Sequence, residues 1–187
     1  MKKYFILLTL LILINPVIAE EKLKYGGQPI IKEVLDKNNI ATTEVTFLVK
    51  AKPEEVWKVL TDYDNYTKFM PAMEEFKVKT RTDKFSIVHV KLESPPLIDI
   101  SYDLRRVYDK ENWTINFKKI DGKIKDIEGG WKLEKYKDIY TKLTYRSRID
   151  FGLPVPKFIL DNLSRNGLYK LADNVRKRVE SGGKWTK

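Results

Sequence analysis

Hydrophobic and polar residues alternate with a period of two over most of this chain, and a helical period governs only short stretches. Val45, Phe47 and Val49 alternate with Thr46, Leu48 and Lys50, the pattern of a partly buried strand. Pro53 then supplies the fixed φ of a first helical turn, and Glu54 and Glu55 favour its positive end. Val56, Trp57 and Leu60 form one apolar face. Asp62 is placed to cap a second short turn running through Tyr66 to Phe69, which Pro71 ends. A strand with Phe76 and Val78 on one face follows.

From there the pattern predicts successive hairpins. Phe85 to Glu93 carries Val88, Val90 and Leu92 on one face and His89 on the other, before Pro95-Pro96 interrupts it. Ile100, Tyr102 and Leu104 alternate with Asp99, Asp103 and Arg105, and Trp113, Ile115 and Phe117 repeat the alternation after a turn at Asp109 to Asn112. Asp121-Gly122 predicts a hairpin turn, and Gly129-Gly130 a bulge or bend. Trp131 and Leu133 then share one face, as do Leu143, Tyr145, Ser147, Ile149 and Phe151. Gly152 to Pro156 forms a rigid connector into a last helix. There Leu160, Leu163, Gly167, Leu171 and Val175 recur at three- and four-residue steps, opposite Arg165, Lys170, Lys177 and Glu180. An antiparallel sheet with one apolar face and one long amphipathic helix is satisfied when the sheet curls around the helix.

A strand joined to the next by two short helices, then strands only, then one long helix is an unusual order. The segments AKPEEVWKVLTDYDNYTKFMP, GGWKLEKY, TKLTYRSRIDFGLPVP and LADNVRKRVE carry it. It resembles the helix-grip fold of the START and polyketide cyclase/dehydrase superfamily, particularly its coenzyme-Q-binding-like branch. The resemblance implies an α+β domain over residues 44–181, with a curved antiparallel sheet wrapped around the C-terminal helix. It also implies a hydrophobic ligand held between sheet and helix, where residue types alone allow either a cavity or a solid core. Ile100, Tyr102, Leu104, Trp113, Phe117, Trp131, Tyr145 and Ile149 would line the cavity, with Ser147, the Tyr hydroxyls and Asn162 orienting a polar end. A lipid, a quinone or an aromatic polyketide would each suit it. The rival readings are a cyclase/dehydrase-like enzyme using a buried Tyr or carboxylate, and an interaction module with a filled core.

The ends add an address. Lys2-Lys3, the apolar run Ile6 to Ile14 and the small residues before Glu20 read as a secretory signal peptide over residues 1–19. This nine-residue run, interrupted by Thr9, falls well short of the ~20 residues that span a bilayer. The protein is therefore expected in the periplasm or outside the cell, cleaved near Ala19-Glu20. Residues 20–43 read as an extension, polar to Gln28, with a possible edge strand from Pro29 to Leu35. What remains suffices for one domain without a staple, and there is no Cys to form one.

The net charge of +10 suggests an anionic partner. Most of the 36 basic residues are Lys, spread along the whole chain, whereas phosphate and base recognition favours the Arg fork. Nucleic acid is not expected, and transient contact with an anionic membrane surface is the partner such a surface suits. One His and no Cys argue against a transition-metal site, and no phosphate loop or nucleophile elbow occurs. Neither a cofactor nor a catalytic residue is assigned. Asp99, Asp103 and Asp150 are expected on the outer sheet face, solvated or paired with Arg105, Arg146 and Arg148.

Overall fold

The computed structural model describes residues 23–35, 40–94, 99–152 and 165–187. The segment expected to be a signal peptide, the Pro95-Pro96 break, the connector beyond Gly152, and Leu160, Asn162 and Leu163 lie outside the described residues. Eight strands form one sheet: β1 Ile30–Leu35, β2 Ala41–Val49, β3 Met73–Arg81, β4 Phe85–Leu92, β5 Ser101–Asp109, β6 Thr114–Gly122, β7 Asp126–Tyr136 and β8 Tyr140–Asp150. Their spatial order is β1-β2-β8-β7-β6-β5-β4-β3, and every neighbouring pair is antiparallel. Helix α1 (Pro53–Leu60) and a 3-10 turn (Tyr63–Lys68) join β2 to β3, and helix α2 (Arg165–Glu180) ends the fold. This is the helix-grip architecture that the sequence pattern predicts.

Local chemistry sets the boundaries. The Lys52 N–H donates to Glu55 Oε2 at 2.8 Å, closing the start of α1 behind Pro53. Asp62 does not cap the 3-10 turn with its side chain as expected; its carboxylate accepts instead from Asn65 Nδ2 at 2.9 Å. One face of the sheet supplies Val45, Phe47, Val49, Val88, Ile115 and Leu143 to the core, and α2 answers with Leu168, Leu171, Ala172, Val175 and Val179. At about 25 cal/mol per Å² of apolar surface removed from water, this shared core is the principal stabilising term.

Three expectations about turns are corrected. The strand runs through Asp121-Gly122, and the chain turns over residues 123–125 instead. Gly122 has φ +110°, and a Cβ there would lie 2.4 Å from the Tyr102 Cα. A glycine is needed there for close strand approach and not for a type I′ turn. Gly129-Gly130 sits in unbroken register with β6 and β8, without a bulge. A Cβ on Gly129 would meet the Arg146 carbonyl at 2.1 Å, so the pair lets the strands close on each other. Trp113 precedes β6 in the turn, with φ +54°, and does not begin the strand's inward face.

The polar start of the N-terminal extension is anchored to the fold. Leu23 is buried. Tyr25 donates its hydroxyl to Glu180 at 3.0 Å, and Arg176 donates to the carbonyls of Leu48 and Gly27. β1 then adds an eighth strand at the sheet edge, pairing Ile30 with Thr46.

Candidate functional site

The inward parity of β5 runs Tyr102, Leu104, Arg106, Tyr108. Three of these suit an apolar interior. The fourth is a guanidinium, 3% exposed, and sequence reasoning missed it. Strand alternation alone would have found it, because Arg106 continues the Ile100-Tyr102-Leu104 series. It pairs across the sheet with Ser86 on one side and Phe117 on the other.

Aromatic rings surround Arg106. Its Cζ lies 4.6 Å from the centre of the Tyr63 ring, 5.2 Å from Tyr66 and 5.9 Å from Phe76. Each such contact contributes about 0.5–2 kcal/mol, against several kcal/mol for desolvating a charge. Among the described residues no carboxylate pairs with it; the Tyr66 hydroxyl is its hydrogen-bonding neighbour, while its Nε and Nη2 have no hydrogen-bond partner. A buried cation left in this state is expensive to keep, and in native proteins such a group has a reason to be there.

The phenols nearby are held neutral. Burial pushes Tyr63, Tyr66, Tyr102 and Tyr145 above the ordinary phenol range. For Tyr145 a hydrogen bond with Ser147 and the Arg106 charge work in the opposite direction. Tyr145 is nevertheless only half-buried by surface. Its ring lies against Trp131 at 4.6 Å and Phe117 at 6.2 Å, on the inner face of β6, β7 and β8.

The expected lining residues therefore divide. Tyr102, Leu104, Phe117, Trp131, Tyr145, Ser147 and Ile149 share the inner sheet face with Arg106, and Ile100 is buried just before β5. Trp113 does not join them: it packs edge-on against Trp57 at 5.7 Å, at the α1 end of the sheet. Asn162 lies outside the described residues.

The outer face holds the remaining candidates. His89 faces outward as expected, and its Nδ1 meets Asp103 Oδ1 at 2.7 Å. Lys79 Nζ donates to the other oxygen at 2.6 Å. Burial opposes ionisation of Asp103, but these two hydrogen bonds prevail and lower its pKa. Asp99 pairs with Lys123 and Asp150 with Lys125. The partners are lysines, not the expected Arg105, Arg146 and Arg148. Register places Arg105 opposite Lys118, and its guanidinium lies over the Phe85 ring. Arg148 faces Asp126 at 3.7 Å. An outer depression of about 520 Å³ lies above Gly130, between Lys118, Lys132, Arg146, Arg148, Glu44 and Glu128. Its walls carry four cations and two carboxylates, with Thr114, Asn116 and Thr144 between them. Among the described residues no group of carboxylates and His is arranged to hold a metal.

A family model described as polyketide cyclase / dehydrase and lipid transport matches residues 49–176. No curated protein matches the chain by sequence. Among solved structures, a STAR-related lipid transfer protein from Xanthomonas axonopodis superposes with TM-score 0.66 at 16% identity, covering 80% of this chain and 98% of that one. Human StAR-related lipid transfer protein 5 gives TM-score 0.66 at 12% identity, covering 88% and 91%. The Zhui aromatase/cyclase from Streptomyces sp. R1128 gives 0.55 at 17%, covering 76% and 88%. At these identities the neighbours show the fold. None of them singles out the coenzyme-Q-binding branch.

Proposed function

The chain belongs to the polyketide cyclase/dehydrase and lipid transport family, and from that premise we propose that it carries a hydrophobic small molecule, non-covalently, between its sheet and its last helix. The observation that supports this most is Arg106: a buried guanidinium with two unbonded nitrogens on the inner sheet face. An apolar ligand with an anionic or carbonyl head would give those nitrogens their missing acceptors, in a medium where a charge-assisted bond is strong. Tyr145, Tyr102 and Ser147 share that face and would orient the head, while Leu104, Phe117 and Ile149 would meet the apolar body. Lipid, quinone and polyketide-like bodies all fit this description.

The leader sequence supports delivery of the carrier to the periplasm or cell exterior, and the basic surface supports transient contact with anionic membranes while loading. N-terminal sequencing of the cell-associated protein tests the first: Glu20 at the terminus is expected, and an intact Met1 would refute it.

A second reading draws on the same group. A guanidinium beside neutral phenols polarises a carbonyl, which is what a cyclase or dehydrase needs. A ligand recovered chemically unchanged after incubation speaks for the carrier.

The decisive test is Arg106→Met. Removing a buried charge that no carboxylate pairs should leave folding stability unchanged or higher, because the desolvation it relieves outweighs the ring contacts it loses. Equilibrium titration with a fluorescent fatty acid should show affinity reduced at least about tenfold, the factor for one charged hydrogen bond of about 1.5–3 kcal/mol. The corresponding fatty alcohol should be far less affected. Loss of stability with unchanged affinity would make Arg106 a structural residue and remove the main support for the proposal.

A further inference from the structure

Arg106 is not the only guanidinium beside Tyr63. Arg81 on β3, Ser86 on β4 and Arg106 on β5 form one cross-strand row. Their side chains therefore leave the sheet on the same face. The Tyr63 ring has the Arg106 Cζ 4.6 Å from its centre and the Arg81 Cζ at 5.4 Å. The two cations differ in setting. Arg106 is buried, whereas the Arg81 side chain is 48% exposed, with the exposed Asp64 as a loose partner at 3.9 Å.

In front of Tyr63 lies a solvent-facing pocket of about 280 Å³, walled by Trp57, Thr61, Tyr63 and Tyr108 and rimmed by Arg81 and Lys110. Asp83 is the one carboxylate in its lining. The volume suits a single head group and is too small for an acyl chain. A hydrogen-bond latch holds the wall: the Tyr63 and Tyr108 hydroxyls meet at 2.8 Å, and Tyr108 donates to the Ser86 Oγ at 2.7 Å. Tyr63 begins the 3-10 turn, which has poorer hydrogen-bond geometry than an α-helix and lacks a side-chain cap at Asp62.

We infer that this pocket is a second subsite for the ligand's anionic head, a carboxylate or a phosphate, and that Tyr63 is the door between it and Arg106. The inference rests on the carrier reading above. Arg81 and Lys110 attract the head from solution while the Trp57 and Tyr108 rings hold apolar surface beside it. The Tyr63 ring is 1% exposed and packs on Tyr66 and Phe76 at 5.3 Å each, so release of its hydroxyl from Tyr108 lets the ring swing only together with a shift of the 3-10 turn that carries Tyr63 and Tyr66. Arg81 and Arg106 flank that ring, so the head meets a cation on either side of the door.

Stopped-flow mixing tests this with three probes of equal chain length: a fluorescent fatty acid, its lysophosphatidate analogue and its alcohol. Tyr63→Phe keeps the ring and breaks the latch, so association and dissociation rates should rise together, by about fivefold for one ordinary hydrogen bond. Tyr108→Phe breaks the same latch from the other side and should match it. Arg81→Glu should slow association of the anionic probes about tenfold at low salt, with the difference shrinking as salt rises, and should leave the alcohol unaffected. Slowing of only one anion also supports the inference and names the head. If all three variants keep wild-type rates while the probes still bind, the door is overturned and the carrier reading stands. If the wild type binds no probe at equilibrium, the carrier reading fails and the door fails with it.

Discussion

The interior has two halves that differ in how completely they are filled. Around α1 and the C-terminal part of α2, Val49, Val56, Leu60, Phe69, Leu143 and Val175 are all 0% exposed. On the inner face of β5 to β8, Tyr102, Leu104 and Phe117 each keep 8% and Tyr145 and Ile149 are only half-buried, beside the more deeply buried Trp131 and Ile127 at 2% and 3%. The residue types are similar in both halves. The sealed half is packed as a stabilising core, while in the other several large side chains keep some accessible surface. Arg106 stands where they meet, stacked on the Tyr63 and Tyr66 rings of the sealed half and charge-coupled to Tyr145 of the open one.

The same truncation in each half should separate them most. Phe47→Ala, in the sealed half, should destabilise by about 3–5 kcal/mol in urea unfolding, because its cavity cannot collapse. Phe117→Ala should cost clearly less, since that ring already lacks some contacts. Equal losses would mean the halves are packed alike.

Gly129→Ala comes next. The added methyl would meet the Arg146 carbonyl at 2.1 Å and the Phe117 ring at 2.7 Å, so backbone must move. A loss of about 1–3 kcal/mol is expected, together with weaker ligand uptake because the open half deforms. A variant with wild-type stability would show that the β7–β8 contact yields freely.

A smaller effect tests the outer face against both interior halves. Asp103 has its pKa lowered in the fold, so the unfolded chain takes up its proton first as pH falls. Its stabilisation is thus complete above the unfolded carboxylate pKa of about 3.9 and lost as pH drops through the lower folded value. Asp103→Asn should lower stability at pH 7 by about 1–1.5 kcal/mol, since the Lys79 partner is screened by solvent, and flatten the acid limb of thermal unfolding, with ligand affinity untouched. Weaker binding in this variant would tie the outer cluster to the site.

The smallest change is Tyr145→Phe. One hydroxyl is removed, so stability should shift by no more than about 1 kcal/mol. Binding of a polar-headed ligand should fall severalfold, and a larger stability loss without any binding change would make Tyr145 an ordinary core residue.

Much of this contrast was legible in the residues. Period-two alternation placed Tyr102, Leu104, Phe117, Trp131 and Tyr145 on one face because a strand has no other way to present them. The last helix was readable from Gly167, Leu171 and Val175. Packing density was not legible, since Phe47 and Phe117 look alike in a sequence and differ only in what surrounds them. Arg106 was hidden by its charge: a cation reads as solvent-facing unless strand parity is allowed to overrule residue type. Asp121-Gly122 misled because a glycine required for close approach to Tyr102 has the same signature as a glycine required for a turn. The pairing of Asp103 with Lys79 and His89 depends on the β3–β4–β5 register, which no local pattern encodes.

Methyl-detected NMR during titration with an unlabelled fatty acid tests the central claim most directly, because it watches both halves at once. The expected result is saturable shifts at Leu104, Ile127, Ile149 and Leu171, with Val49, Val56, Leu60 and Leu143 unmoved. Shifts confined to the sealed half, or none at any concentration up to the solubility of the ligand, would contradict a ligand site in the open half.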